Sequence, residues 1–230
     1  MDKLVRESQK DQVIGQMVRI KKGQEKPEAF RLMTDNEVLQ MQMKIIFNWK
    51  PHSQMWPFSW GVGILGGAAC LTGLFVNNIC RQKLHLMTFA RVSTFAPTVV
   101  LPALLTTTLH NILITNNILL GNFPCTVCAA TQSGAIQAAF GAVYPMIIGP
   151  LVCIITARKY HTYAVPSVRN ISELSSFLRK TTPVAGSLMA LLLVNFGLGM
   201  LISERETTLF TKYLSPSLAS PKEFDDEGFK

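Results

Sequence analysis

Polar and apolar positions along this chain separate into blocks instead of alternating face by face. No Asp, Glu, Lys or Arg occurs between Lys50 and Arg81, between Arg91 and Arg158, or between Lys180 and Glu204. A bilayer's hydrocarbon core is about 30 Å thick and takes about 20 apolar residues as helix, because only helices and closed barrels satisfy the backbone in lipid. The first block supplies one window, residues 58–79. The middle block of 66 uncharged residues is too long for one crossing and suits two, with Asn116, Asn117, Gly121, Asn122 and Pro124 marking the turn. Its predicted spans are 92–115 and 134–157. A fourth, 183–202, is centred on the unbroken run Leu188–Val194. Soluble helices must show water a charged face, and these windows have none. The expected fold is all-α, a polytopic membrane domain over 58–202 with four transmembrane helices.

The flanks read differently. Within the polar N-terminal tail, residues 1–57, Thr34-Asp35-Asn36-Glu37 is a capping box, with the Thr hydroxyl and the Glu carboxylate each serving the other's backbone amide. Val38, Met41 and Ile45 then recur at spacings of three and four, predicting an amphipathic helix over about 35–49 that stops at Lys50-Pro51. Such a helix suits the membrane interface, a docking partner, or a cap on the protein's own bundle. Residues 203–230 read as a polar tail that turns acidic at Glu223–Glu227. Residues 1–50 contain no apolar run of the secretory type, and Asp2, Glu7 and Asp11 are foreign to transit peptides.

Composition agrees with the membrane reading: 48% hydrophobic and 16% charged, against roughly 25% charged in soluble domains. The net charge of +8 does not point to nucleic acid, because the basic residues flank spans and no aromatic-interleaved stripe is present for bases. Topology and the lipid bilayer's anionic head groups account for them. Four spans put both termini on one side and loops 80–91 and 158–180 on the other. Those loops carry Arg81, Lys83, Arg91, Arg158, Lys159, Arg169, Arg179 and Lys180, so the positive-inside rule places them in the matrix or cytosol.

Chemistry-bearing residues are sparse. Transporters and pumps keep ionisable groups at mid-membrane, and His110 alone lies within a predicted span. His52, His85 and His161 fall outside, so neither a haem pair nor a di-iron set is expected. No nucleophile, base and orienter can be aligned, and no phosphate loop is present, so catalytic residues, metal, cofactor and small-molecule substrate are all expected to be absent. Packing signals are richer. Gly63 and Gly67 form a G-x-x-x-G pair extended by Ala69 and Gly73, and Gly134, Ala138 and Ala142 repeat the small-residue spacing, suited to close helix approach within the chain or with a partner. Gln132, Gln137 and Asn195 require hydrogen-bond partners in low dielectric. Pro97, Pro102, Pro145 and Pro150 should kink the second and third spans. Cys125 and Cys128 form a C-x-x-C that is half a zinc site with nothing to complete it, leaving a disulfide or redox pair on an oxidising side. Cys70 and Cys153 read as small apolar fillers.

From this loop onward the chain is similar to a known family. Cys125-Thr-Val-Cys128-Ala-Ala-Thr131-Gln-Ser133-Gly134, then Gly141-Ala-Val-Tyr144-Pro145, then Ala157-Arg158-Lys159-Tyr160-His161-Thr162 with Pro166 following, resembles the transmembrane protein 126 family, its A-type branch more than its B-type. Cys80-Arg81 stands where the family has adjacent arginines, and a Gly is missing near Val168-Arg169-Asn170, which marks a diverged member. The resemblance implies a four-helix protein of the mitochondrial inner membrane, in which the positive-inside rule would turn the basic loops 80–91 and 158–180 to the matrix. It further implies a role in assembly of respiratory complex I, by binding membrane-arm subunits, assembly intermediates and other assembly factors, without catalysis. Gly63, Gly67, Gly134, Ala138, Tyr144, Pro145, Arg158 and Tyr160 are the candidate packing or docking positions. The rivals are a small transporter or channel around His110, Gln137 and Asn195, and a membrane oxidoreductase using Cys125 and Cys128.

Overall fold

Apolar blocks that must bury every backbone amide become long helices in the computed structural model, which describes residues 34–123, 125–163 and 185–214. Helix α1 spans Asp35–Asn48, and the predicted capping box closes it: Thr34 N donates to Glu37 Oε2 at 2.9 Å, and Glu37 N to Thr34 Oγ1 at 3.4 Å. Four helices long and apolar enough to cross a membrane follow: α2, Pro57–Lys83; α3, Arg91–Leu119; α4, Thr126–Tyr160; and α5, Gly186–Leu214. The four-span expectation holds, and no strand occurs among the described residues. The tails 1–33 and 215–230, the loop beyond residue 163 and the predicted start of the fourth span lie outside the described residues.

Each of the four spans runs past the C-terminal end of its predicted window, and the fourth does so for an instructive reason. Glu204 ended the uncharged block, so the span was expected to stop at 202 and the polar tail to begin at 203. Instead the helix runs on to Leu214. Glu204 and Arg205 face outward while Glu206 turns inward and is buried, so the charged stretch continues the helix with one wet face and one packed face.

The prolines act through widened turns. A proline lacks an N–H and its ring clashes with the carbonyl four residues back. The chain adopts π turns at Ala96–Val100, which contains Pro97 and the Thr98 carbonyl opposite Pro102, and at Ala139–Val143, just before Pro145. These are the bulges by which a helix absorbs such a clash. Pro150, by contrast, sits in regular α-helix.

Packing among the spans rests on small residues, as expected where lipid tails compete equally for apolar contact. A methyl at Gly73 would run into the Thr98 carbonyl of α3, and one at Gly66 would meet Thr107 Cγ2 at 2.8 Å. On the other side of the bundle, Gly134 of α4 lies against Phe196 and Met200 of α5, and Gly199 of α5 lies against Ser133 and Gly134. Apolar clusters close both ends. Ile46 of α1 joins Met55, Phe58, Ile114, Ile118, Phe210 and Leu214, so the amphipathic helix caps its own bundle. At the basic-loop end, Val76, Cys80, Leu84, Leu86, Cys153 and Ala157 pack together.

Arg81 fixes the turn between α2 and α3. Its guanidinium donates to Thr94 Oγ1 and the Met87 carbonyl, both at 2.7 Å, and to the Phe89 carbonyl at 3.0 Å. His85, Met87 and Ala90 there have φ of 49°, 43° and 45°, a left-handed conformation that non-glycine residues hold only when their surroundings over-determine it.

The glycines separate into two kinds that substitution can distinguish. Gly73→Val should destabilise the bundle by about 1–3 kcal/mol through overpacking, measured as a lower midpoint in detergent-denaturant unfolding. Gly63→Val should leave that midpoint unchanged, because a Cβ at Gly63 meets nothing within 4 Å.

Candidate functional site

Polar side chains in the four spans converge on the interior, in layers along the bundle axis. Nearest the termini, the π turn His110–Thr115 of α3 sets residues five apart above one another, and both ends of it reach Glu206 of α5. His110 Nε2 lies 3.4 Å from each carboxylate oxygen, and Thr115 Oγ1 donates at 3.3 Å to Oε2. On the far side of the imidazole, Nδ1 is 3.1 Å from Ser133 Oγ of α4, which donates at 2.8 Å to the Gly199 carbonyl. His110 is 1% exposed and Glu206 0%.

The hydrogen bonds assign the protons. Ser133 has one, and its shorter contact directs it to Gly199, so His110 Nδ1 is the donor toward Ser133. Nε2 then faces the Glu206 carboxyl group, so the two side chains satisfy each other inside the bundle. Mutual pairing is what allows a carboxyl group and an imidazole to lie inside a hydrocarbon-embedded bundle, where an unpaired ion costs several kcal/mol.

Serine, histidine and glutamate in line are also the parts of a nucleophilic triad. Here the serine residue is 1% exposed and its hydroxyl is committed to the Gly199 carbonyl at 2.8 Å. The arrangement joins three helices.

A second layer lies deeper. Gln137 Nε2 donates to the Leu65 carbonyl at 2.9 Å and to Asn195 Oδ1 at 3.0 Å, and Asn195 Nδ2 donates to Thr72 Oγ1 at 2.9 Å. Gln137 and Asn195 thus meet as partners, apart from His110. The third layer joins Asn77 Nδ2 to Thr98 Oγ1 at 2.7 Å, with Cys153 Sγ 3.5 Å from Asn77 Oδ1. Cys153 is therefore buried beside a polar group, not purely among apolar ones.

The predicted docking positions divide. Gly63 and Gly67 are exposed with open space above them, on one outward stripe with Trp60, Ile64 and Leu71. Ala69 and Gly73, read in sequence as an extension of that ridge, are buried on a different face. Gly134 and Ala138 pack within the chain between α4 and α5. Pro145 is buried, Tyr144 half-buried and Arg158 exposed, while Tyr160 stacks on Phe89 at 5.5 Å between centroids. Cys125 and Cys128 are joined in a disulfide at the start of α4, with Cα atoms 5.4 Å apart. Among the described residues no three His, Cys, Asp or Glu side chains come together as a metal site.

Glu206 is the residue that sequence reasoning missed, because it lies beyond the uncharged block. The available signal was periodic: Ile202, Glu206 and Phe210 continue the buried face at intervals of four.

Comparison with known proteins gives a consistent result. A family model described as Transmembrane protein 126 matches residues 37–219. Transmembrane protein 126 of Drosophila melanogaster is 35% identical over 176 residues, 74% of this chain and 79% of its own length. Transmembrane protein 126A of Pongo abelii is 30% identical over 120 residues, and that of Rattus norvegicus 26% over 121, covering 60% and 61% of those proteins. No solved structure matches.

Removing one partner of the buried pair should be worse than removing both. His110→Leu should destabilise by about 3–5 kcal/mol, the cost of leaving the buried Glu206 carboxyl group without its partner, and the double substitution His110→Leu, Glu206→Leu should recover most of it. Unfolding titrations of both single variants and the double measure this, and a loss in the double equal to the sum of the two single losses would show that the side chains act independently.

Proposed function

We propose, from the premise that this chain belongs to the transmembrane protein 126 family, that it is a non-catalytic factor of the mitochondrial inner membrane that assists assembly of respiratory complex I. In this reading it holds membrane-arm subunits or early intermediates while other assembly factors act on them. The observation that carries the proposal is the outward G-x-x-x-G face of α2. Gly63 and Gly67 leave a groove that no helix among the described residues fills, flanked by Trp60 and Leu71 at 72% and 68% exposure. In lipid, small residues at this spacing let a second helix approach closely enough for van der Waals contact to hold it. The internal polar layers support the same reading, since their hydrogen bonds are spent on joining the helices.

The membrane orientation belongs to the proposal. With the basic loops in the matrix, the Cys125–Cys128 disulfide lies in the intermembrane space, where disulfides persist. A transporter or channel is the second reading, favoured by the buried His110–Glu206 pair, because ionisable groups within spans commonly serve transport. Flux in liposomes of the purified chain, lost in Glu206→Gln, would support that alternative.

The deciding experiment tags the chain at Lys230, solubilises mitochondria in mild detergent, resolves native complexes and identifies what co-migrates by mass spectrometry. Partial complex I modules are expected with the natural chain. In Gly63→Leu, Gly67→Leu their recovery should fall by about tenfold, equivalent to about 1.4 kcal/mol of lost contact. A lone monomer, or unchanged recovery in the double variant, would overturn the α2 docking assignment. Arg158→Ala provides a parallel test of the exposed basic edge.

A further inference from the structure

Two clefts open at the basic-loop end, and they share Arg91. One, of 580 Å³, lies between Arg81, His85 and Arg91. The other, of 600 Å³, lies between the start of α3 and the end of α4 and is lined by Arg91, Ser93, Lys159, Tyr160, Ile155 and Val152 among others. The second is graded along its depth. Lys159 and Tyr160 form its rim, and Val152 lies seven residues earlier on the same helix, about 10 Å deeper at 1.5 Å per residue. Cations and an aromatic ring therefore stand at the membrane edge, above an apolar wall that includes the exposed Ile155 and Val92.

Among the described residues the cations of this cleft have no anionic partner. From Val38 to Ser172 the sequence has no Asp or Glu, and loops 80–91 and 158–180 together set eight basic residues against Glu173. Arg91 and Lys159 are exposed, and among the described residues neither makes an ion pair; Lys159 Nζ rests 5.8 Å from the Tyr160 ring centroid. Arg81 differs, since its guanidinium is consumed by the turn it holds.

We propose that the cleft between α3 and α4 is a binding site for a phospholipid with an anionic head group, its phosphate between Arg91 and Lys159 and an acyl chain against Val92, Val152 and Ile155. A basic rim continuous with an apolar wall fits a molecule that carries both features, and positive charge at this depth attracts anionic lipid at about 1 kcal/mol per residue. Such a lipid would also fill the seam where α3 and α4 part and join the two basic loops through one head group.

The full-length chain, reconstituted in phosphatidylcholine nanodiscs, tests this with photoactivatable analogues of phosphatidylglycerol and phosphatidylcholine at equal trace amounts. The anionic analogue should label peptides covering residues 88–95 and 152–160 about thirtyfold more than the zwitterionic one, in line with two near-surface cations at about 1 kcal/mol each. The preference should vanish in Arg91→Gln, Lys159→Gln and persist in Arg91→Lys, Lys159→Arg. It should also weaken in the natural chain as salt rises from 0.1 to 1 M and the screening length falls from about 10 to about 3 Å, a readout that needs no variant to fold. Equal labelling by both analogues, or a preference that survives the glutamine substitutions, would overturn the site. Displacement of the anionic analogue by inorganic phosphate would also overturn it, assigning the cleft to a soluble anion. The nanodiscs contain no other protein, so this outcome is independent of the assembly role.

Discussion

Hydrocarbon offers no hydrogen-bonding partner, and this constraint organises the bundle from end to end. Polar groups that enter the spans need partners inside the chain, and the layers at His110, Gln137 and Asn77 draw theirs from different helices, whereas the buried Ser203 hydroxyl of α5 has none among the described residues. Glu206 of α5 is met by His110 and Thr115 of α3, and Ser133 of α4 reaches both His110 and the α5 backbone. Gln137 links α4 to α2 and α5, and Asn195 returns from α5 to Thr72 of α2. A slip of one residue in any helix would separate several of these pairs at once. Apolar contact alone would tolerate such a slip, because lipid tails are as good a neighbour as leucine.

The same layers explain the irregular turns. A regular α-helix could not hold His110 and Thr115 on one carboxylate five residues apart, and the π turn between them does so. Widened turns near Pro97, Pro102 and Pro145 relieve a steric clash, whereas the one at His110 serves a polar contact. Where helices cross most closely, the glycines at 73, 134, 141 and 199 remove the side chains that would hold the backbones apart. Close approach and polar pairing are thus one arrangement, since the short hydrogen bonds across the bundle require backbones that can come near each other.

The surfaces we propose for docking and for lipid face outward. They are the exposed small-residue ridge of α2 and the basic rim between α3 and α4. The first offers shape without charge, as a docking helix requires. The second offers charge above an apolar wall, as a lipid requires.

Much of this was legible from residue order alone. Three uncharged blocks, the middle one long enough for two crossings, fix four spans, because the bilayer sets a minimum length and excludes unpaired charge; the capping box fixes where α1 begins; the C-x-x-C places two thiols within one turn. None of these depends on what lies across the bundle. The faces of the helices do. Gly63 and Gly67 share their spacing with Gly134 and Ala138, yet the first pair looks outward and the second is buried, and spacing along one helix cannot say which neighbour stands opposite. Glu206 shows the same limit more sharply: as a charge outside the uncharged block it marks a solvated tail, and only the imidazole brought over from α3 makes its burial possible. Length and charge are properties of the chain and were readable in it, whereas pairing is a property of two segments far apart in sequence, and only their packing in space decided it.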